Sequence, residues 1–200
     1  MLTNRFYVDL GLKSGILWAT NNLGSLTPWD KGNLYCWGKP HQKDIDRDYI
    51  NYSVQVLNPR KNKDYMSSIP YSILRPEDDP AQVLLGKDWK LPNEENFKEL
   101  YRSTSQELVY YEDSLNGLLL ISNLNGNKLF LPLSDVFLKD DYYFYTEDFC
   151  INYWTSDQIC RGESYSAYFD LSSITELCSL KLNVTNWDCL LPIRPIKYKK

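Results

Sequence analysis

Short apolar runs divided by turn residues dominate the pattern, and they predict strands more often than helices. Residues 5–19 read as two strands, Arg5 to Leu12 and Gly15 to Thr20, around a Lys13-Ser14-Gly15 turn. Asn33 to Trp37 predicts a third. From Leu108 onward β structure prevails. Leu118 to Leu124 and Lys128 to Leu131 flank Asn125-Gly126, a type I′ hairpin signal. Asn152 to Thr155, Tyr165 to Asp170, Leu177 to Leu182 and Cys189 to Arg194 predict an antiparallel meander. Two segments carry helix punctuation instead. Asp79-Pro80 to Gly86 sets an N-cap, a first-turn proline and a glycine stop in order. After Pro92, Asn93 serves as N-cap, Glu94 and Glu95 suit the positive end of the dipole, and Phe97, Leu100 and Tyr101 form one stripe. Helices grouped mid-chain among strands predict an α+β fold in a single domain spanning 1–200. Residues 39–78 are polar and proline-punctuated, which reads as a surface insertion.

Composition narrows the function classes. Of 200 residues, 43% are hydrophobic and 24% charged, enough for a full core without staples. A net charge of −4 provides no global field for nucleic acid, and the Lys197 to Lys200 tail reads as a solvated end. The longest aliphatic run, Leu118 to Ile121, is far below the roughly 20 residues of a membrane span. Residues 1–20 hold no secretory apolar stretch. Aromatic residues reach 14%, which suits strands and also binding faces.

Candidate chemistry is sparse. His41 is the sole histidine, with no nucleophile motif beside it. Cysteines at 36, 150, 160, 178 and 189 form no CxxC pair, and their odd number fits reduced thiols acting as small hydrophobes. Cys178 with Cys189 and Cys150 with Cys160 are the conceivable pairings. Zinc spacing, a calcium loop, a Walker A motif and GxGxxG are all missing, so no metal, no cofactor and no catalysis are expected.

Several motifs then resemble one family in order: Tyr7 to Gly15, Trp18 to Asn22, Gly32 to Gly38, Trp89-Lys90-Leu91-Pro92 ahead of a helix, Gly126 to Pro132, Tyr153 to Ser156 and Ile193 to Ile196. This series is similar to the Fibrobacter succinogenes major paralogous domain family of Bacteroidetes and their phages. Lys90 and Asn93 depart from the family's Arg and Thr. The resemblance implies a C-type-lectin-like fold, two helices with twisted antiparallel sheets. It implies a non-enzymatic adhesion or receptor-binding module for a surface glycan or protein receptor. Its place would be a phage virion surface, or a bacterial cell surface or the exterior if a leader was removed.

The family's ligand face would fall between Asp157 and Leu191, with Asp157, Gln158, Arg161, Glu163, Tyr165 and Trp187 as candidate contacts. Tyr142 to Tyr145 is the second candidate face. Trp18, Trp37, Trp89 and Trp154 fall on family landmarks and read as core anchors; Arg194, between prolines, reads as a structural arginine bonded to loop carbonyls or a carboxylate. Asn186-Trp187-Asp188 differs in order from the calcium motif of sugar-binding lectins and reads as a turn. The alternatives are a phage structural component contacting sister virion proteins, homo-oligomers included, and a formylglycine-generating-type enzyme. The latter needs a positioned cysteine pair that Cys178 and Cys189 do not reproduce in sequence.

Overall fold

The N-terminal strands form as the pattern predicts. In the computed structural model, β1 (Tyr7–Asp9) and β2 (Ile16–Ala19) pair antiparallel, and Gly15, at φ +71°, closes the turn between them. The structure describes residues 6–39, 74–112, 114–139, 144–160, 162–171, 178–187 and 189–199, with the backbone alone at 135, 137–139 and 144–149. His41, most of the 39–78 insertion, Tyr142 and Tyr143, Arg161 and Asp188 lie outside the described residues.

After β3 (Leu34–Tyr35), α1 (Pro80–Leu85) is capped by Asp79, whose carboxylate accepts the N–H groups of Ala81 and Gln82 and reaches back to Leu91 N at 2.9 Å. The two-residue strand β4 (Trp89–Lys90) leads into α2 (Glu94–Arg102). Asn93 and Asn96 form a reciprocal capping box at its start. Phe97 and Leu100 are fully buried, worth about 3 to 6 kcal/mol together.

The remaining strands are β5 (Thr104–Tyr111), β6 (Ser114–Ser122), β7 (Lys128–Pro132), β8 (Ser134–Lys139), β9 (Phe144–Cys160), β10 (Glu163–Asp170), β11 (Ser179–Asn186), β12 (Leu191–Pro192) and β13 (Ile196–Tyr198). They form antiparallel sheets in the orders β1-β2-β13-β4, β11-β10-β9-β8, β12-β3 and β5-β6-β7. The fold is mixed α+β, mostly antiparallel strands with two helices. Among the described residues no helix is long and apolar enough to cross a membrane.

Three expectations are corrected. Cys189 to Arg194 does not continue the meander: β12 pairs with β3, and β13 returns to β2 and β4. Pro192 and Pro195 lack the N–H groups a longer ladder needs. Nor is Asn125-Gly126 a two-residue turn. Ser122 N–H bonds Asn127 O, leaving a four-residue loop in which only Gly126 has positive φ. The Ser122 hydroxyl accepts the N–H groups of Leu124 and Asn125, which stabilises the longer loop. β structure also begins at Thr104, directly after the Ser103 helix cap, because β6 supplies a partner along the whole segment.

Two cores lie on opposite faces of β9. Ile151 and Tyr153 join Trp18, Phe97, Leu118 and Phe169 on one side. Cys150 and Trp154 join Tyr35, Trp37, Leu91 and Ile193 on the other. The indole of Trp154 donates to Tyr35 O at 2.6 Å, so the second core is also pinned by a polar bond. Trp18, Trp37 and Trp154 are buried anchors, whereas Trp89 is half-buried at the margin. Arg194 is 0% exposed and bonds Asn22, Ala19 O, Thr20 O and Phe130 O. All five cysteines are thiols; Cys160 alone among them is exposed.

Candidate ligand-binding site

The candidate face is shaped by a break in one ladder. Ser166 stands opposite Trp154 and Ser164 opposite Gln158, so Tyr165 faces three residues of β9, Thr155 to Asp157. Such a bulge bends its strand and releases its backbone groups to other partners. Ser156 N–H donates to Pro92 O, and Ser156 O accepts Leu74 N–H, both at 2.9 Å. Thr155 O accepts the Trp37 indole at 2.8 Å, and the Thr155 hydroxyl donates to Tyr165 O at 2.8 Å.

Asp157 belongs to this hub. Its Oδ2 accepts Glu94 N–H at 2.6 Å, placing a carboxylate at the positive end of α2. Burial pushes its carboxyl above the usual aspartate value, and the nearby Glu94 carboxylate adds to the rise. The side chain is thus engaged by the helix. Gln158 is 5% exposed and turns its amide to Cys160 O, so it too faces inward.

Beyond the bulge, β9 and β10 meet at a tight hairpin between paired Cys160 and Glu163, with Gly162 at φ +93°. The Cys160 thiol donates to Glu163 Oε2 at 3.1 Å. That bond raises the thiol pKa, with a smaller contribution from burial, so Cys160 stays protonated. Glu163 also stands opposite Asn186 at the end of β11. The next residue, Trp187, is locked at both backbone ends: its N–H donates to Gly162 O at 2.8 Å and its carbonyl accepts Trp37 N–H at 3.1 Å. Its half-buried ring stacks on buried Trp37, centroids 4.8 Å apart and planes 17° from parallel. Tyr165, half-buried, lies farther along β10 opposite Val184.

Of the candidate contacts, Glu163 and Trp187 therefore come near one another along the backbone at the hairpin end. Tyr165 flanks them, Gln158 sits behind them and Asp157 lies across the bulge. Arg161 is outside the described residues. Cys160, Asn186 and Trp37 complete the cluster. For Cys160, the glycine two residues later, ahead of an alternating strand, is the signal for a hairpin that brings it to Glu163. Neither Asn186 nor the support from Trp37 has a local signal, because their contacts are set by long-range pairing.

Among the described residues no group of three His, Cys, Asp or Glu side chains is placed to hold a metal ion. Burial pushes the Cys178 thiol up to about 12, and the Asp170 carboxylate adds to the shift. No family model, curated protein or solved structure matches the chain.

Proposed function

We propose that the chain is a non-enzymatic binding module of the C-type-lectin-like kind, carried on a phage particle or cell surface, that recognises a glycan or protein receptor. The observation that carries this reading is the Trp187 ring, stacked on a buried indole and held by backbone bonds at both ends. An aromatic platform fixed in advance loses little entropy on binding, and anchors of this type dominate interface energies. Glu163 and Tyr165 lie on the adjacent strand β10, opposite Asn186 and Val184. The series of family-like motifs, in order from Tyr7 to Ile196, supports the same fold and role. Cys178 lies in the first core and Cys189 in the second, so the structure does not bring together the cysteine pair the enzyme alternative needs.

The structural-component reading has its own observation. Phe6, Trp29, Tyr110 and Tyr111 are each exposed by more than half (68%, 63%, 59% and 66%), a pattern that sister subunits would cover. Labelled protein incubated with intact Bacteroides-type cells and with their extracted surface glycans, with and without EDTA, separates the readings. A receptor-binding module binds saturably, and Trp187→Ala lowers affinity by about 30-fold, the scale of a hot-spot residue. Absence of binding to any cell or glycan, together with tight association into larger particles, favours the structural component instead.

A further inference from the structure

The sheet β1-β2-β13-β4 has a second side. Val8, Trp18, Ile196 and Lys90 stand in one row across it, and the first three pack into the core around Phe97. The adjacent row, Asp9, Leu17, Lys197 and Trp89, therefore points the opposite way, together with Tyr7, which pairs with Ala19. Leu17 and Ala19 are only 5% exposed, so larger side chains shield this face. Over it, Lys197 Nζ lies 3.7 Å from the centroid of the Tyr7 ring and 5.0 Å from that of Trp89.

Two rings hold that ammonium by cation–π attraction, which fixes its position and leaves its charge uncompensated. Among the described residues no carboxylate ion-pairs with Lys197. Lys98, Lys181 and Lys199, by contrast, each hold an acidic partner. In a chain of net charge −4, the face thus presents one positioned cation between two half-buried aromatic rings. An ammonium has three donors, so a carboxylate can take one while the rings keep their hold.

We propose that the Tyr7–Lys197–Trp89 face binds an acidic polysaccharide, with a uronate carboxylate on Lys197 Nζ and the apolar face of a sugar ring against the aromatic rims. This rests on the glycan reading above and assigns it a chemical class and a second surface. A single uncompensated cation suits isolated carboxylates on a polymer. Nucleic acid needs a row of cations, and the neighbouring Lys199 is already paired to Asp9 at 2.5 Å. An added peptide strand would find only the two residues of β4 along that edge.

The test is calorimetric titration of the intact protein with sodium polygalacturonate at low salt, with dextran as the neutral control. Wild type binds the polyuronate and ignores dextran. Lys197→Gln weakens binding about tenfold, the equivalent of one charge-assisted hydrogen bond, while Lys197→Arg, which keeps charge and ring stacking, retains it. Lys181→Gln, which removes a cation already paired to Asp170, leaves polyuronate binding unchanged. Circular dichroism and melting curves matching wild type show that each variant is folded. Failure of folded wild type to bind polygalacturonate overturns the proposal, as does binding that survives Lys197→Gln. If polyuronate binding is absent but Trp187-dependent binding to cells persists, this inference falls and the receptor reading stands. Lys197-dependent polyuronate binding that loses nothing on Trp187→Ala, with no Trp187-dependent cell binding, refutes the hairpin-end site and keeps this face.

Discussion

Replacing Arg194 by methionine tests how the ends of the chain are joined. The guanidinium is fully buried and donates to four acceptors: Asn22 Oδ1 at 2.8 Å, Ala19 O at 3.2 Å, Thr20 O at 2.6 Å and Phe130 O at 3.0 Å. These acceptors belong to the end of β2, the loop after it and β7, so one side chain ties three segments. Burial lowers the arginine pKa from its ordinary value, yet the Tyr153 hydroxyl beside it opposes that shift. Methionine fills much of the volume and removes the cost of burying a charge, but leaves the acceptors without these donors. Each abandoned buried acceptor costs about 1–3 kcal/mol, and the relief from no longer burying a charge offsets part of the sum. The net expectation is about 3–5 kcal/mol, from four buried acceptors that lose a donor less the relief from no longer burying a charge. At about 2–4 °C per kcal/mol for a chain of this size, the melting temperature falls by roughly 6–20 °C. Urea unfolding followed by tryptophan fluorescence measures the change. Arg194→Lys is the sharper control, because it keeps a buried charge and loses the planar fork, so it should be no more stable than Arg194→Met. A lysine variant as stable as wild type, or a methionine variant within 1 kcal/mol of it, refutes this account of the joint.

Three further outcomes follow from the same geometry. Asp79→Ala removes the α1 cap and the bond to Leu91 N–H, and should cost about 2–4 kcal/mol in chemical denaturation; an unchanged midpoint sinks the cap argument. Asp157 has a folded pKa raised by burial above its ordinary 3.8, so the native state binds the proton more tightly and stability falls as pH climbs from that value through the folded one. The stability of wild type relative to Asp157→Asn must therefore decline with rising pH across that window, and a difference that grows contradicts the assignment. Native protein should consume one fast equivalent of a bulky thiol reagent, at Cys160, and Glu163→Gln should speed that reaction by removing the carboxylate that raises the thiol pKa; alkylation rates compared by mass spectrometry decide it.

Local chemistry was the legible part of this chain. Both helix starts are readable because a cap needs only its own neighbours: Asp79 before Pro80, and Asn93 before Glu94 and Glu95. The stripe of Phe97 and Leu100 predicts which side of α2 is buried, and the first hairpin follows from Gly15. Pairing between distant segments was not legible. β13 inserts between β2 and β4, joining residues near both ends of the chain, and no local pattern specifies that order. The four-residue loop at Asn123 to Gly126 shows the same limit on a smaller scale, because the Ser122 side chain outweighs the Asn-Gly dipeptide. The candidate contacts come from a chain interval that the family resemblance implies. Their division into an inward Gln158, a helix-bound Asp157 and a platform at Trp187 depends on a bulge that leaves no signature in β9.

That bulge also separates the residues that hold the two cores from the proposed binding face. From Cys150 to Trp154, β9 is buried on both faces, and its alternation serves two cores at once. At Thr155 to Asp157 the strand leaves its partner, and its backbone and side chains are consumed by Trp37, Pro92, Leu74 and the start of α2. Only beyond that point does the β9–β10 hairpin run out from between the cores, where the Trp187 ring borrows rigidity from Trp37 without being enclosed by it. On the proposed reading, substitutions on the hairpin side of the bulge change binding, whereas those from Cys150 to Trp154 change whether the two cores hold together.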